Sequence, residues 1–455
     1  MYTSTSYNWG YKSERFNKSC LGLVDSRCNL PRGKVLGGTS VINFLIYTRG
    51  NALDFDEWAS LGNHDWSYQD VLPYFKKSEN CSNCKNVDED YHGHSGELHI
   101  QHVPYKTPLV ERFMRAGKEL GYRNADPNGR THLGFSEVQA TMRGGMRYSA
   151  ARAFLNESVK RRENLHIVTR ARVTKILVDP ETKTANGVKF LKNKQELVVN
   201  VEKEIILSAG SLNSPHLLML SGIGPKDHLE KLSIPVIQDL KVGYNLQDHV
   251  ALTSLIFLVN QSVTISDTTV QNPADVLNYL ANGDGPFTVP SGAEALAFLK
   301  TPLTLNTSND YPDVEVVLGA GAVNGDSYGF MRKLSGIPDS FFVKVCSTIV
   351  DVPSFSMSVV LMRPKSRGRV RLKDANPLHW PVIETNYFHD EHDVEVMVEG
   401  IKKVIFCDAV QETKLFVFSP TFVDSSHCQH QKFSRVKHHF ARRSISWLRN
   451  FLFCK

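Results

Sequence analysis

Nowhere does this chain carry the G-x-G-x-x-G turn with which a strand–turn–helix unit cradles a dinucleotide pyrophosphate. Its absence excludes a reading of the chain as a self-contained dinucleotide-binding fold. No apolar run reaches the roughly 18 residues that cross a bilayer, so no membrane-spanning helix is expected. The polar opening Met1-Tyr2-Thr3-Ser4-Thr5-Ser6-Tyr7-Asn8 lacks the charged-then-apolar pattern of an export signal, and no export address is expected in it. Cys81-Ser82-Asn83-Cys84 has the outline of half a zinc site or of a redox pair. No second CxxC or spaced His pair completes it, so no metal is assigned. Acidic residues are missing from 425–455, which hold Lys432, Arg435, Lys437, Arg442, Arg443, Arg449 and Lys455. Setting those aside leaves 46 basic residues against 47 acidic ones, so the net charge of +6 gives no ground for nucleic-acid binding.

What is present is ordinary globular composition, 455 residues with 41% hydrophobic and 22% charged, enough for two or three domains. Among eight cysteines, Cys20 and Cys28 flank a short loop and are spaced to pair in an oxidising compartment. Sequons at Asn17, Asn80, Asn156, Asn260 and Asn306 support secretion only weakly, and localisation stays open.

The most informative stretch is Pro31-Arg32-Gly33-Lys34-Val35-Leu36-Gly37-Gly38-Thr39-Ser40-Val41-Ile42-Asn43, continuing to Tyr47-Thr48-Arg49-Gly50-Asn51. Adjacent glycines let a backbone approach a flat or anionic ligand closely, and Thr39, Ser40 and Asn43 add hydrogen-bonding groups at fixed positions. Taken alone, a glycine–hydroxyl turn after a Pro-Arg-Gly loop is most often only a turn. A second long string, Gly210-Ser211-Leu212-Asn213-Ser214-Pro215-His216-Leu217-Leu218-Met219-Leu220-Ser221-Gly222-Ile223-Gly224-Pro225, predicts a short helix with Ser214 as N-cap and glycines as its stop.

Together with Asp54-Phe55-Asp56-Glu57-Trp58 and Trp66-Ser67-Tyr68-Gln69-Asp70, these strings closely resemble the two signatures of the glucose-methanol-choline (GMC) oxidoreductases, in the wording of the insect glucose-dehydrogenase-like branch. The resemblance covers roughly residues 7–433. It implies an α/β flavoprotein, with an incomplete Rossmann-like FAD-binding domain and an α+β substrate domain on a mostly antiparallel sheet. It implies FAD as cofactor and an alcohol or sugar, a CH–OH donor, as substrate. It places the cofactor at Gly37, Gly38, Thr39, Ser40, Asn43, Ile46, Val173, Ala209 and Gly210, with the backbone at Val173 near the adenine end. A complete member carries its βαβ unit upstream of the position equivalent to Tyr7. Its catalytic His lies in a His-Pro-x-Gly-Thr context and its partner in a later Asn-Thr context, and neither occurs here. No catalytic residue is therefore assigned, and the chain is expected to be truncated at both ends and impaired by itself. His249 in Tyr244-Asn245-Leu246-Gln247-Asp248-His249 is assigned to a turn near the flavin domain rather than to catalysis.

Along the chain, residues 1–30 read as loop. Thr107-Pro108 opens a helix with a capping hydroxyl, and Leu165–Val168, Arg172–Val178, Gly187–Phe190, Leu197–Val201 and Glu204–Ser208 read as strands. Asn272-Pro273 opens another helix, 311–316 and 356–361 alternate as strands, and Asp390 caps a helix with an apolar stripe at 394, 397, 398, 401, 404 and 405. The expected division is an FAD-binding domain at 1–250, a substrate domain at 251–395, a return helix and connection at 396–433, and a divergent basic tail at 434–455. Two other readings compete: a non-catalytic binding protein that keeps the substrate-domain shell, and a membrane-surface protein that uses the basic tail.

Overall fold

The computed structural model describes residues 6–81, 84–304, 310–326, 328–350 and 352–408, with two short strands at Val417–Pro420 and Phe453–Cys454. Tyr11–Lys12 pairs antiparallel with Asn29–Leu30, and the intervening loop is closed by a Cys20–Cys28 disulfide with Cα atoms 5.5 Å apart. The expected loop over 1–30 is corrected to this extent. Two-residue strands are too short to raise a periodic signal, although Tyr7, Trp9 and Tyr11 alternate in the right way.

Helices α1 (Ala52–Ser60) and α2 (Tyr68–Ser78) start where Asn51 and Ser67 accept amide hydrogen bonds as N-caps. Helix α3 (Pro108–Glu119) begins at the predicted Thr107. The Thr107 hydroxyl does not cap it. It donates instead to Glu294, which also takes the Thr107 amide.

The largest layer is a wholly antiparallel seven-stranded sheet. In chain order its long members are β1 (Gly134–Glu137), β2 (Val250–Val259), β3 (Ala293–Leu299), β4 (Val314–Gly319) and β5 (Ser354–Leu361). They lie side by side as β2-β5-β4-β3-β1, with 417–420 and 453–454 pairing onto β2. One face carries Val314, Val316, Leu318, Phe355, Met357, Val359 and Leu361, the period-two pattern of a strand with one face in the core. β2 changes parity from Val250 and Leu252 to Leu255, Phe257 and Val259. A register shift between Leu252 and Leu255 absorbs the extra residue and keeps all five on that same face.

Two helices cover this face, α3 and the predicted helix α4 (Glu391–Asp408). Their approach is tight. A Cβ on Gly117 would meet the Phe135 ring at 2.5 Å, and one on Gly400 would meet Val359 Cγ1 at 2.8 Å. The opposite face of β3 packs Leu296 and Phe298 against Leu45, Val103, Val138, Ala140 and Met142. Every residue of β3 is buried for that reason. This second layer contains Leu45, at the end of the glycine-rich stretch, and so the sheet is the platform on which that stretch rests.

A separate three-stranded meander of Ala171–Val178, Ala185–Lys192 and Gln195–Asn200 packs on the helix Asn213–Leu220. Two predicted strands are not formed. Residues 165–169 and 203–209 have no ladder partner among the described residues. Val168 is 52% exposed and Ile206 79%. Their apolar pattern suits buried strands, yet a strand exists only when a neighbour accepts its N–H and C=O groups. The helix after Gly210 starts one residue before the predicted cap, and the Ser214 hydroxyl takes the Ala209 amide at 3.1 Å. Most of the basic tail, on which the membrane-surface reading rests, lies outside the described residues. No helix among the described residues is long and apolar enough to cross a membrane.

Candidate functional site

The glycine-rich stretch folds as a left-handed residue, Gly37 with φ 91°, leading into a single 3-10 turn over Gly38–Val41. Gly37 is closely packed, because a Cβ there would lie 3.1 Å from the Ala151 Cβ, and its φ is one that side chains rarely adopt. Gly38 also has positive φ, but its Cβ position opens onto free space. The backbone is thus pinned from behind at one glycine and accessible at the next.

The polar side chains of the stretch have internal work to do. Thr39 Oγ1 accepts the Gly33 amide at 3.2 Å, and Ser40 Oγ donates to the Gly37 carbonyl at 2.6 Å while accepting the Ala150 amide at 2.9 Å. Asn43 Oδ1 accepts from Leu45 N and from Arg147. Arg147 also donates to the Ser40 carbonyl at 3.1 Å and the Asn43 carbonyl at 2.7 Å, so one guanidinium clasps the whole turn. The hydroxyls therefore shape the turn, and the exposed backbone is the part left to meet a ligand. Ile46 bridges to Ala140 and continues the turn onto the layer beneath.

Gly37, Gly38, Thr39, Ser40, Asn43 and Ile46 are therefore one unit. Val173, Ala209 and Gly210 belong to another. Val173 pairs with Phe190 in the meander, and the Ser221 hydroxyl takes the Ile176 amide at 2.8 Å, fixing the helix Asn213–Leu220 on that strand. Gly210, with φ 89°, precedes this helix and also opens onto free space at its Cβ position. Residues from the N-terminal ribbon join the two units. The Trp9 ring has Lys34 Nζ at 4.6 Å and the Arg172 guanidinium at 4.6 Å, and the Tyr11 hydroxyl donates to Asn213 Oδ1 at 2.7 Å. Trp9, Tyr11 and the clasp of Arg147 escaped the sequence reading. The Tyr–Trp–Tyr alternation was the available signal for the first two.

His249 stands at the start of β2, where its amide donates to Asp248 Oδ1. Asp248 also accepts the Tyr387 hydroxyl at 2.9 Å. His216, on the inner side of the helix Asn213–Leu220, is 2% exposed, and burial with the nearby Arg172 charge pushes its imidazole down to about 4.

Residues 17–251 match the N-terminal profile of the GMC oxidoreductases, and residues 364–439 match the C-terminal one. The chain belongs to the GMC oxidoreductase family. It is 38% identical over 409 residues to the glucose dehydrogenase (FAD, quinone) of Drosophila melanogaster, covering 89% of this chain. It is 36% identical over 400 residues to the oxygen-dependent choline dehydrogenase of Sinorhizobium medicae, covering 86% of this chain. The chain spans 62% of the length of the first relative and 65% of the second. Among solved structures it superposes on formate oxidase with a TM-score of 0.80 at 23% identity, covering 99% of this chain and 78% of that one. An FAD-dependent oxidoreductase from Chaetomium thermophilum gives 0.79 at 23% identity, covering 98% and 79%. These superpositions bear out the α/β flavoprotein fold with its mostly antiparallel sheet.

Proposed function

We propose that this chain is the body of an FAD-dependent GMC oxidoreductase acting on a CH–OH donor, an alcohol or sugar. The observation that carries the reading is the clasped turn. Arg147 and Ser40 spend their hydrogen-bonding groups on holding Gly37–Asn43, and accessible backbone at Gly38 is presented on a rigid sheet. A turn so held, with open space where its Cβ would be, suits close approach of a flat ring. Gly38, the neighbouring backbone of Gly37–Asn43 and Ile46 are the residues to hold the flavin end. Gly210, equally open at the Cβ position, would stand with Ala209 and Val173 toward the nucleotide end. Bound FAD would supply the hydride acceptor for alcohol oxidation.

The division at 250/251 is kept as part of this reading, with the antiparallel sheet as the substrate side; strand β1 joins that sheet from the first segment, and the return helix begins at Glu391 rather than at 396. No G-x-G-x-x-G occurs in the chain, and 165–169 and 203–209 have no ladder partner among the described residues. We therefore expect this chain alone to hold FAD weakly or not at all, and to leave alcohols unoxidised. The check is a titration of the purified chain with FAD followed by flavin fluorescence, then assay with alcohols and sugars and a dye acceptor. Absence of saturable binding and of dye reduction is the expected outcome. A stoichiometric flavin complex that bleaches on adding an alcohol would contradict it.

A further inference from the structure

The Cys81-x-x-Cys84 pair has no role in the reading above, and its surroundings supply what its sequence spacing lacks. Cys81 and Cys84 are joined as a disulfide on the loop that follows Glu79–Asn80. Beside it lie Glu79 and His92, from strand and loop positions 13 residues apart. One donor atom each of Glu79, Cys81 and His92 falls within 4.8 Å of the others, and all three residues are buried. Cys84 Sγ, bonded to Cys81 Sγ, lies at the edge of this group, on a half-buried residue and 3.7 Å from the Ile100 carbonyl oxygen.

The imidazole is held as a ligand imidazole is held. Its Nε2 is 2.8 Å from Asp126 Oδ2, a carboxylate that also takes the amides of Asp88 and Asn128 and the side-chain amide of Gln139. A carboxylate fixing one ring nitrogen orients the other toward a metal. Here that other nitrogen, Nδ1, lies 2.6 Å from Glu79 Oε1. Arg49 binds the second oxygen of Glu79 and keeps the carboxylate from turning away. The Cys81 sulfur, one imidazole nitrogen and one carboxylate oxygen are gathered in a buried spot, and the Cys84 sulfur, once freed from Cys81, adds the fourth donor of a set suited to tetrahedral zinc.

We propose that reduction of the Cys81–Cys84 disulfide converts this cluster into a zinc site whose ligands are the Cys81 and Cys84 thiolates, His92 Nδ1 and a Glu79 oxygen. In the oxidised chain both sulfurs are spent on each other and Nδ1 on Glu79, so the site is closed to metal. A trialkylphosphine opens it: two electrons from phosphorus break the S–S bond, water supplies oxygen to the phosphine oxide, and its two protons go to the thiols. Zn²⁺ then displaces those two protons and any proton on His92 Nδ1. The metal would settle between Glu79 and His92 and loosen their direct bond, while the Asp126 contact stays.

The test titrates the full chain with Co²⁺ alone, before and after phosphine treatment, and reads the thiolate-to-cobalt charge-transfer band. The reduced chain is expected to bind one equivalent, bleached by Zn²⁺, and the oxidised chain none. Cys81→Ser/Cys84→Ser is expected to lose that equivalent, which separates this site from the chain's other cysteines. Cys84→Ser alone removes the disulfide without reductant and leaves three ligands, so it is expected to bind Co²⁺ through a thiolate, more weakly, with no phosphine present. That variant decides the matter if phosphine also opens Cys20–Cys28 and unfolds the chain. A reduced wild type with no more charge transfer than the double variant, an oxidised chain with the same band, or a silent Cys84→Ser would each overturn the proposal.

Discussion

Replacing Arg49 by leucine is expected to cost about 3–5 kcal/mol of folding stability, because it strands a buried carboxylate. Glu79 and Arg49 are both essentially inaccessible, with side-chain exposures of 0% and 1%. The guanidinium binds Glu79 Oε2, donates to the Tyr91 carbonyl at 2.5 Å, and reaches the Tyr47 hydroxyl through Nε at 3.2 Å. On the far side of Glu79, His92 faces two carboxylates at once, through Nδ1 and Nε2. Two carboxylates, one guanidinium and one imidazole thus form one buried group in which each charge depends on its neighbours. Burial alone would raise the Asp126 carboxyl, but the bond to His92 and the amides of Asp88 and Asn128 outweigh it and hold the group below the usual carboxylate range. Arg49→Leu breaks this balance at Glu79. Adding Glu79→Gln to Arg49→Leu removes the stranded charge and should recover a substantial part of the loss. Denaturant midpoints for the two singles and the double measure the coupling. A single-variant loss under about 1 kcal/mol would mean that the ionic group is not intact in solution.

The second large effect is acid lability centred on His132. Its ring lies 3.9 Å, centroid to centroid, from the Phe298 ring, and neither ring nitrogen has a hydrogen-bond partner among the described residues. Burial, partly countered by Asp310, pushes the imidazole from its ordinary 6.5 to about 4. The unfolded chain therefore binds more protons than the folded one between those values. Stability contributed by keeping the ring neutral is complete above pH 6.5 and is lost as pH falls toward 4. At pH 5 the loss is about 2 kcal/mol from this one group by linkage. His216, displaced the same way, adds a loss in the same window. His132→Phe keeps a ring against Phe298, removes both unsatisfied nitrogens and cannot charge. It is expected to match or exceed wild-type stability at pH 7 and to be about 2 kcal/mol more stable than wild type at pH 5. Parallel pH profiles for the two proteins would show that His132 does not drive the loss.

Both effects rest on groups that a linear reading could not assemble. Arg49, Glu79, His92, Asp126 and Gln139 come from five separate segments, and only Arg49 stood in a recognisable string. Local periodicity and chemistry were enough for Pro273–Asn282 with its Asn272 cap, for the meander of 171–200, and for the helix Glu391–Asp408 behind Asp390. They were also enough for the Gly37–Asn43 turn, whose composition is unusual by itself. Periodicity misled at Leu165–Val168 and Glu204–Ser208, where apolar residues announce strands and no neighbour among the described residues pairs with them. Pairing is a tertiary property, and a pattern cannot supply it. At Thr39, Ser40 and Asn43 the residue types were informative and their use was not. Their polar atoms are bound within the protein, because a rigid turn needs them there.

The most direct measurement is the visible absorbance, with FAD supplied, of two purified proteins: this chain, and this chain with a G-x-G-x-x-G βαβ segment of the dinucleotide-binding kind fused ahead of Tyr7. The account predicts a colourless chain and a yellow fusion that loses its flavin when Gly38→Val blocks the open face of the clasped turn. A fusion that stays colourless although it melts cooperatively, or one whose flavin is indifferent to Gly38→Val, would contradict the assignment of Gly37–Asn43 to the flavin.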